Sequence, residues 1–264
     1  MALFTTLYSG SSGNCALVVH QGRYLLIDMG KSCRLTLKAL SSLGLAVSDC
    51  DGILITHEHA DHVAGLETFL KHYNVPVFSS AATLDMLESR GTLPPAIDAV
   101  AMDGRTEDIG GFTVRSFPTS HDVPCCGYRI HTPDGRTMAL ATDLGELTPV
   151  VAENLAGCDL VALEANYDAF SLHGGPYPYY LKVRIASDRG HLDNRACAAT
   201  VLDLIQDGCK KFALCHLSQT NNTPELALTT VYNVLLSAGI QPGRDVLIQA
   251  QSRNEVSPLS LIHI

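Results

Sequence analysis

The segment Thr56-His57-Glu58-His59-Ala60-Asp61-His62 places three imidazoles and an aspartate within six positions. Imidazole nitrogen beside carboxylate oxygen is the donor set of zinc and of neighbours such as manganese and iron. A lone histidine here would be an ordinary polar loop position. The pattern His-x-His-x-Asp-His after an apolar strand is a metal-ligand spacing with a mechanism behind it.

The elements that must position this segment can be read around it. An apolar run over residues 52–55 precedes it and reads as a strand, and a second apolar run, over 64–73, reads as a helix. The ligands would then stand on a loop at a strand's carboxyl end, where open α/β sheets commonly hold their sites. Short apolar or β-branched runs predict further strands over 3–8, 16–20, 24–28, 75–78, 111–117, 127–131, 138–142, 160–164, 212–215 and 246–249. Pro133-Asp134-Gly135 predicts a hairpin turn. Helical spacing covers 33–43, 81–90, 194–207 and 223–238. Strand-then-helix recurs in both halves of the chain, which suits either two sheets sandwiched between helices or one doubly wound parallel sheet.

One cluster needs partners from elsewhere. His121 follows the strand at 111–117, Asp143 follows 138–142 and His216 follows 212–215. Each sits just past an apolar strand, as the first cluster does.

With these residues in order, the chain resembles the metallo-β-lactamase-fold hydrolases nearly end to end. The resemblance implies one αβ/βα sandwich domain over residues 1–264, with two mixed sheets flanked by helices, and two divalent metal ions (zinc, manganese or iron). It implies His57, His59 and His121 on one metal, Asp61, His62 and His216 on the other, and Asp143 bridging both. Asp28, closing the strand at 24–28, matches the acid that steadies a ligand imidazole through its other nitrogen. Lactam-cleaving members carry a Cys at the bridging position. Asp143 therefore places the chain with the phosphodiesterase, nuclease and glyoxalase-type branches.

The sharper resemblance is to the YycJ/WalJ branch, regarded as DNA exonucleases. It rests on Ser9-Gly10-Ser11-Ser12-Gly13-Asn14-Cys15, on the stretch from Gly174-Gly175-Pro176-Tyr177 through Arg189-Gly190-His191-Leu192-Asp193-Asn194, and on His216-Leu217-Ser218-Gln219-Thr220-Asn221-Asn222. One departure stands out: the branch has Glu-x-Asn-His-Asp where this chain has Glu164-Ala165-Asn166-Tyr167-Asp168.

The expected activity is a metal-dependent phosphodiesterase, a 5′–3′ DNA exonuclease. A hydroxide shared by two metals about 3.5–4 Å apart would attack phosphorus in line. Asp61 would orient that hydroxide as well as bind metal, and His191 would serve as general acid or phosphate contact. Ser11 and Asn14 in the small-residue turn at 9–14 are candidate phosphate contacts. Lys182, Arg184, Arg189, His191 and Arg195 form the densest basic stretch, with Tyr177, Tyr179 and Tyr180 upstream, a mix of cations and rings that suits a nucleic-acid strand. Asp193 or Asn194 could cap the helix after it, whose N-terminal N–H groups offer a phosphate site. Lys182, Arg184, Arg189, His191 and Asn194 are the substrate contacts expected from this stretch. The competing reading is a two-metal hydrolase of a small thioester, lactone or cyclic nucleotide. A third, a non-catalytic binding protein on an inherited fold, would show a missing ligand, and every expected ligand is present.

Bulk properties agree. A formal net charge of −9 argues against a nonspecific nucleic-acid coat but leaves room for a local cationic site around bound metal. No apolar run is long enough to span a membrane and the first residues carry no signal-like pattern, so a cytoplasmic protein is expected. Nine cysteines without a C-x-x-C pair read as reduced packing residues, Cys215 beside His216 included. His20, His72, His131, His173 and His263 have no ligand-like spacing and are expected in surface or structural roles. The oligomeric state is left open.

Overall fold

The computed structural model describes residues 1–257, and His263 lies outside them. The first sheet runs β1 (Leu3–Tyr8), β2 (Cys15–His20), β3 (Arg23–Ile27), β4 (Cys50–Leu54), β5 (Val77–Ser79) and β6 (Ala99–Ala101), neighbours in that order. β1 to β3 are antiparallel, and β3 to β6 are parallel. The second sheet holds β7 (Thr106–Ile109), β8 (Phe112–Thr119), β9 (Cys125–His131), β10 (Thr137–Ala141), β11 (Leu160–Glu164), β12 (Lys211–Cys215) and β13 (Leu247–Ala250), also in chain order. It is antiparallel up to β10 and parallel beyond. Two mixed sheets stand where the sequence also allowed a single doubly wound one.

The helices are α1 (Cys33–Ser42), α2 (Ala60–Val63), α3 (Leu66–Leu70), α4 (Ala81–Ser89), α5 (Pro149–Leu155), α6 (Ala169–Gly174), α7 (Tyr179–Ile185), α8 (Asn194–Gln206) and α9 (Pro224–Ser237). Strand alternation builds the layers. In β3, Leu25 and Ile27 enter the core between the sheets, while Tyr24 and Leu26 face α1 and α3. In β11, Leu160 and Ala162 point into that same inner core, and Val161 and Leu163 face α5, α8 and α9. Both faces of each central strand are covered, which is why these segments read as unbroken apolar runs.

The helix expected over 64–73 is shorter, α3 over Leu66–Leu70, and a separate short helix, α2, precedes it in the motif loop. α2 and α3 are separated at Gly65, whose N–H donates to Met29 O at 2.9 Å. A Cβ at Gly65 would lie 2.0 Å from Lys31 O, so the chain passes too close there for any side chain. Residues 179–185, which carry no regular element in the sequence reading, form the helix α7. β6 and β7 are also additions. β6 is three half-buried residues and β7 a polar edge strand, too short or too hydrophilic to alternate clearly.

Candidate metal centre and its cleft

Strand ends deliver the site. β4 runs into His57 and His59, and α2 then presents Asp61 and His62. His121 follows β8, Asp143 follows β10, His216 follows β12 and Asp28 follows β3. At Asp28, Asp143 and His216 the backbone turns left-handed, with φ of 63°, 58° and 55°. Side chains larger than glycine pay about 1–3 kcal/mol for such a conformation, and it persists where surrounding structure enforces it. Here it swings three site residues out of their strands within one residue. Gly30 makes room for the motif loop: a Cβ there would lie 1.7 Å from Asp61 O.

Seven candidate ligands converge. One donor atom each from His57, His59 and His121 lies within 4.8 Å of the others, and the same holds for Asp61, His62 and His216. Asp143 stands between the groups, 3.3 Å from His62 Nε2, 3.5 Å from His216 Nε2 and 3.8 Å from His121 Nε2. His121 Nε2 and Asp143 Oδ2 are buried without a hydrogen-bond partner among the described residues. Such groups are costly unless something satisfies them. Inward-facing imidazole nitrogens and carboxylate oxygens, two of them orphaned, fit a pair of divalent cations.

The outer nitrogens are held. His62 Nδ1 donates to Asp28 Oδ2 at 2.8 Å, and Asp28 Oδ1 accepts from the Thr56 N–H at 2.8 Å. His216 Nδ1 donates to Glu164 Oε1 at 3.0 Å, and His121 Nδ1 to Gly190 O at 3.1 Å. His57 Nδ1 lies 3.0 Å from Thr56 Oγ1. Fixing one nitrogen turns the other toward the metal position. Glu164 also takes His191 Nδ1 at 2.8 Å on the same oxygen, and its other oxygen accepts from Leu144 N.

Burial pushes His57 and His121 below the ordinary histidine range, and neighbouring imidazoles push His57 further, so both stay neutral. Burial pulls His62 down too, but Asp143 and Asp28 outweigh it and raise it to about 10. His216 is raised in the same way by Asp143, Asp61 and Glu164. Burial opposes ionisation of Asp61 and Glu164, yet their histidine partners hold both well below the usual carboxylate range.

The cluster forms the floor of a cleft of about 330 Å³. Of the substrate contacts expected from sequence, Ser11, Arg184, Arg189 and His191 line it. Both arginines have local partners as well: Arg184 pairs with Asp122, and Arg189 Nε donates to His121 O at 2.9 Å. Three expectations need correction. Asn14 lies beneath the floor, its side-chain amide donating to Asp61 O at 3.3 Å, so it is packed against the motif loop and does not line the cleft. Lys182 lines a different hollow and donates to His173 O at 2.7 Å. Asn194 is 2% exposed and paired twice with Asn222. The α8 N-terminus is not open to phosphate either, because Asp193 Oδ1 already accepts from Arg195 N and Ala196 N.

Sequence reasoning gave Glu164 and Asp122 no role. Glu164 is the last residue of β11, so the strand-end rule that pointed to the candidate ligands also reaches it. Asp122 follows His121 directly and approaches His59 Nε2 at 3.5 Å. Tyr167, at the position where the branch has His, is buried and lines the same hollow as Lys182.

A family model described as a beta-lactamase superfamily domain matches residues 23–216. The chain is 34% identical to the exodeoxyribonuclease YycJ of Bacillus anthracis over 241 residues, 91% of each chain. It is 32% identical to the exodeoxyribonuclease WalJ of Streptococcus pneumoniae over 262 residues, 98% of this chain and 97% of that one. The crystal structure of the metallo-beta-lactamase fold protein YhfI from Bacillus subtilis superposes with a TM-score of 0.72 at 16% identity, covering 97% of this chain and 98% of that one. That last likeness shows the fold. Among the described residues no helix is long and apolar enough to cross a membrane.

Proposed function

The chain belongs to the beta-lactamase superfamily and is a metal-dependent hydrolase, and from that premise we propose that it is a DNA exonuclease, hydrolysing phosphodiester bonds from 5′ ends. The observation that carries this reading is the pairing of floor and wall in one open cleft. The His/Asp cluster lies at the bottom, and Tyr177, Arg184, Arg189 and His191 stand at the side. The names of the two relatives that span more than nine-tenths of the chain support the same reading.

His57, His59 and His121 would hold one divalent ion and Asp61, His62 and His216 the other, with Asp143 shared. Zinc, manganese and iron all suit these donors. When bound, such a pair supplies a nucleophile at neutral pH and draws charge from the phosphate oxygens. The chain's own groups do the rest. Asp61, kept ionised by His62 and His216, orients the attacking water through its carboxylate. His191 is fixed by Glu164 at Nδ1, leaving Nε2 to deliver a proton to the departing oxygen. Its proton affinity suits a general acid, since burial lowers it but Glu164 and Asp143 raise it above the ordinary histidine value. Ser11 and the two arginines hold the flanking phosphates.

The test is a gel assay of metal-loaded protein on 5′- and 3′-labelled duplex and single-stranded DNA, with manganese and zinc separately. An Asp61→Ala/His62→Ala double variant runs alongside. Progressive shortening from the 5′ end, absent in the variant, is expected. Hydrolysis of a small thioester or cyclic phosphodiester, with no cleavage of DNA, would instead make this a small-molecule hydrolase.

A further inference from the structure

The bond to be cut lies at the cleft floor, so what is attached to it must lie along the cleft wall. That wall is α7 with its flanks, and it carries two kinds of side chain. Arg184 and Arg189 turn toward the Asp122 carboxylate and the backbone of His121 and Asp122. Tyr177, Leu181 and Ile185 line the same cleft and are chiefly apolar. Leu181 and Ile185 are one turn apart on α7, and Tyr177, just before the helix, continues the line at the same spacing. All three are half-buried, so the stripe is neither core nor open surface. Its two ends are fixed. Tyr177 Oη donates to Thr220 Oγ1 at 3.1 Å, which spends the phenol's hydrogen and leaves the ring to meet the cleft. At the other end Ile185 O accepts from the His191 N–H at 2.9 Å. A Cβ at Gly190 would lie 2.2 Å from that same carbonyl oxygen, so α7 sits directly on the turn that carries His191. An apolar strip therefore starts beside His191 inside a cleft whose floor is imidazole and carboxylate.

We propose that the Tyr177–Leu181–Ile185 stripe seats the base of the 5′-terminal nucleotide, and that Tyr177 selects substrates with a base beside the scissile phosphate. The proposal rests on the nuclease reading of the cleft and deepens it by giving the released nucleotide a site. Position favours this occupant. The stripe starts beside His191, which delivers a proton to the departing oxygen. In trimming from a 5′ end that oxygen is O3′ of the terminal nucleotide, so the base on the same sugar is the group closest to the stripe. Chemistry agrees. A base has flat apolar faces, which a ring and two aliphatic side chains match. Leucine and isoleucine carry no hydrogen-bonding group, and the tyrosine hydrogen is already spent on Thr220. The stripe therefore holds a base without reading its edge, and all four bases should be accepted.

The test uses the full chain, metal-loaded, and a 3′-labelled oligonucleotide in the strand form that it shortens. Release of the first nucleotide is timed with thymine at the 5′ end and with an abasic tetrahydrofuran there, the phosphates being the same. For the unsubstituted protein, removing the base should lower kcat/KM by about 10–100-fold, the range of a lost stack between base and ring. Tyr177→Ala should lose a similar factor on the thymine end and little more on the abasic end, because both changes remove one interaction. Tyr177→Phe gives up the bond to Thr220 but keeps the ring, and should keep the discrimination. Adenine, cytosine and guanine ends should be released within about tenfold of thymine. Equal release of abasic and thymine ends by the unsubstituted enzyme would overturn the proposal and leave the nuclease reading intact, and that arm depends on no variant folding. A full abasic penalty persisting in Tyr177→Ala would also overturn it, by putting the base elsewhere. Protein that cleaves a cyclic phosphodiester but shortens no form of DNA would remove the nuclease reading and the base site with it.

Discussion

Asp28 Oδ2 lies 2.8 Å from His62 Nδ1, and both side chains are almost wholly buried. A carboxylate in that position steadies the imidazole and also raises its affinity for a proton. Burial alone would lower the pKa of His62, yet Asp143 and Asp28 raise it to about 10. A metal ion can bind only the neutral ring nitrogen, so metal and proton compete at this residue.

The first prediction follows. Loading the metal-free protein at pH 8 should expel protons, and titration calorimetry in two buffers of different ionisation enthalpy measures how many. The sign for stability is also fixed. A folded-state pKa above the unfolded value of about 6.5 gives stabilisation that is complete below that pH and is lost as pH rises through about 10. Metal-free protein should therefore lose thermal stability between those values. Asp28→Asn should shrink both the proton release and the slope. Equal proton counts with and without Asp28 would refute the account.

Glu164 carries two histidines on one oxygen, His191 at 2.8 Å and His216 at 3.0 Å. Only His216 belongs to the expected ligand set, so two variants should separate. His191→Ala should lower kcat by about 10²–10⁴-fold, the range of a lost general acid, with metal content unchanged. Glu164→Gln should lower both kcat and metal content. Metal analysis after dialysis, beside single-turnover rates, distinguishes them. Equal loss of metal in both would make His191 a ligand.

The candidate ligands were legible because a local rule governs them: an apolar strand, then a polar residue at its carboxyl end. His121, Asp143 and His216 obey that rule as the first cluster does. The errors arose where direction depends on tertiary packing. Lys182 and Arg184 are two apart on one short helix, and residues at that spacing leave an α-helix on different sides. They therefore face different hollows. Asn194 begins a helix, as expected, but its side chain turns inward to Asn222 and Asp193 does the capping. α7 itself was invisible because Pro178 at its N-cap makes no side-chain hydrogen bond, and its seven residues bury no side chain fully.

Gly30 offers a test of how the motif loop is held. Its N–H donates to Asn14 O at 2.7 Å, and a Cβ would strike the Asp61 carbonyl. Gly30→Ala should destabilise the fold by about 1–3 kcal/mol, the cost of overpacking a closed site. The displacement falls on the residue that carries Asp61, so metal content should drop with stability. Gly22→Ala serves as the control: its φ is positive, but a Cβ there meets nothing within 4 Å. It should lose stability through strain while retaining metal. Metal retention in Gly30→Ala would mean that the loop can shift without moving its ligands.

Asp122 links the metal centre to the basic wall. One carboxylate oxygen lies 3.5 Å from His59 Nε2 and 3.2 Å from His121 Nε2, and the other pairs with Arg184 on α7. That first oxygen is buried without a hydrogen-bond partner, so its negative charge is directed at the two imidazoles. His59 has no other acidic partner within salt-bridge distance among the described residues. Removing this carboxylate should therefore weaken the ion at His57, His59 and His121 more than the ion at Asp61, His62 and His216. Asp122 Oδ1 stands on the side of His121 that faces the metal position, since the outer nitrogen is held by Gly190 O, so its loss should lower the affinity for that ion directly. In Asp122→Ala, a graded chelator series should strip one equivalent of metal early, while the second leaves at its unsubstituted midpoint. Arg184→Met keeps the carboxylate and should retain both metals, yet raise KM for DNA because a phosphate contact is gone. Early loss of one metal from Arg184→Met as well would show that the arginine is needed to hold Asp122 in place, and that the cleft wall and the metal centre act as one unit.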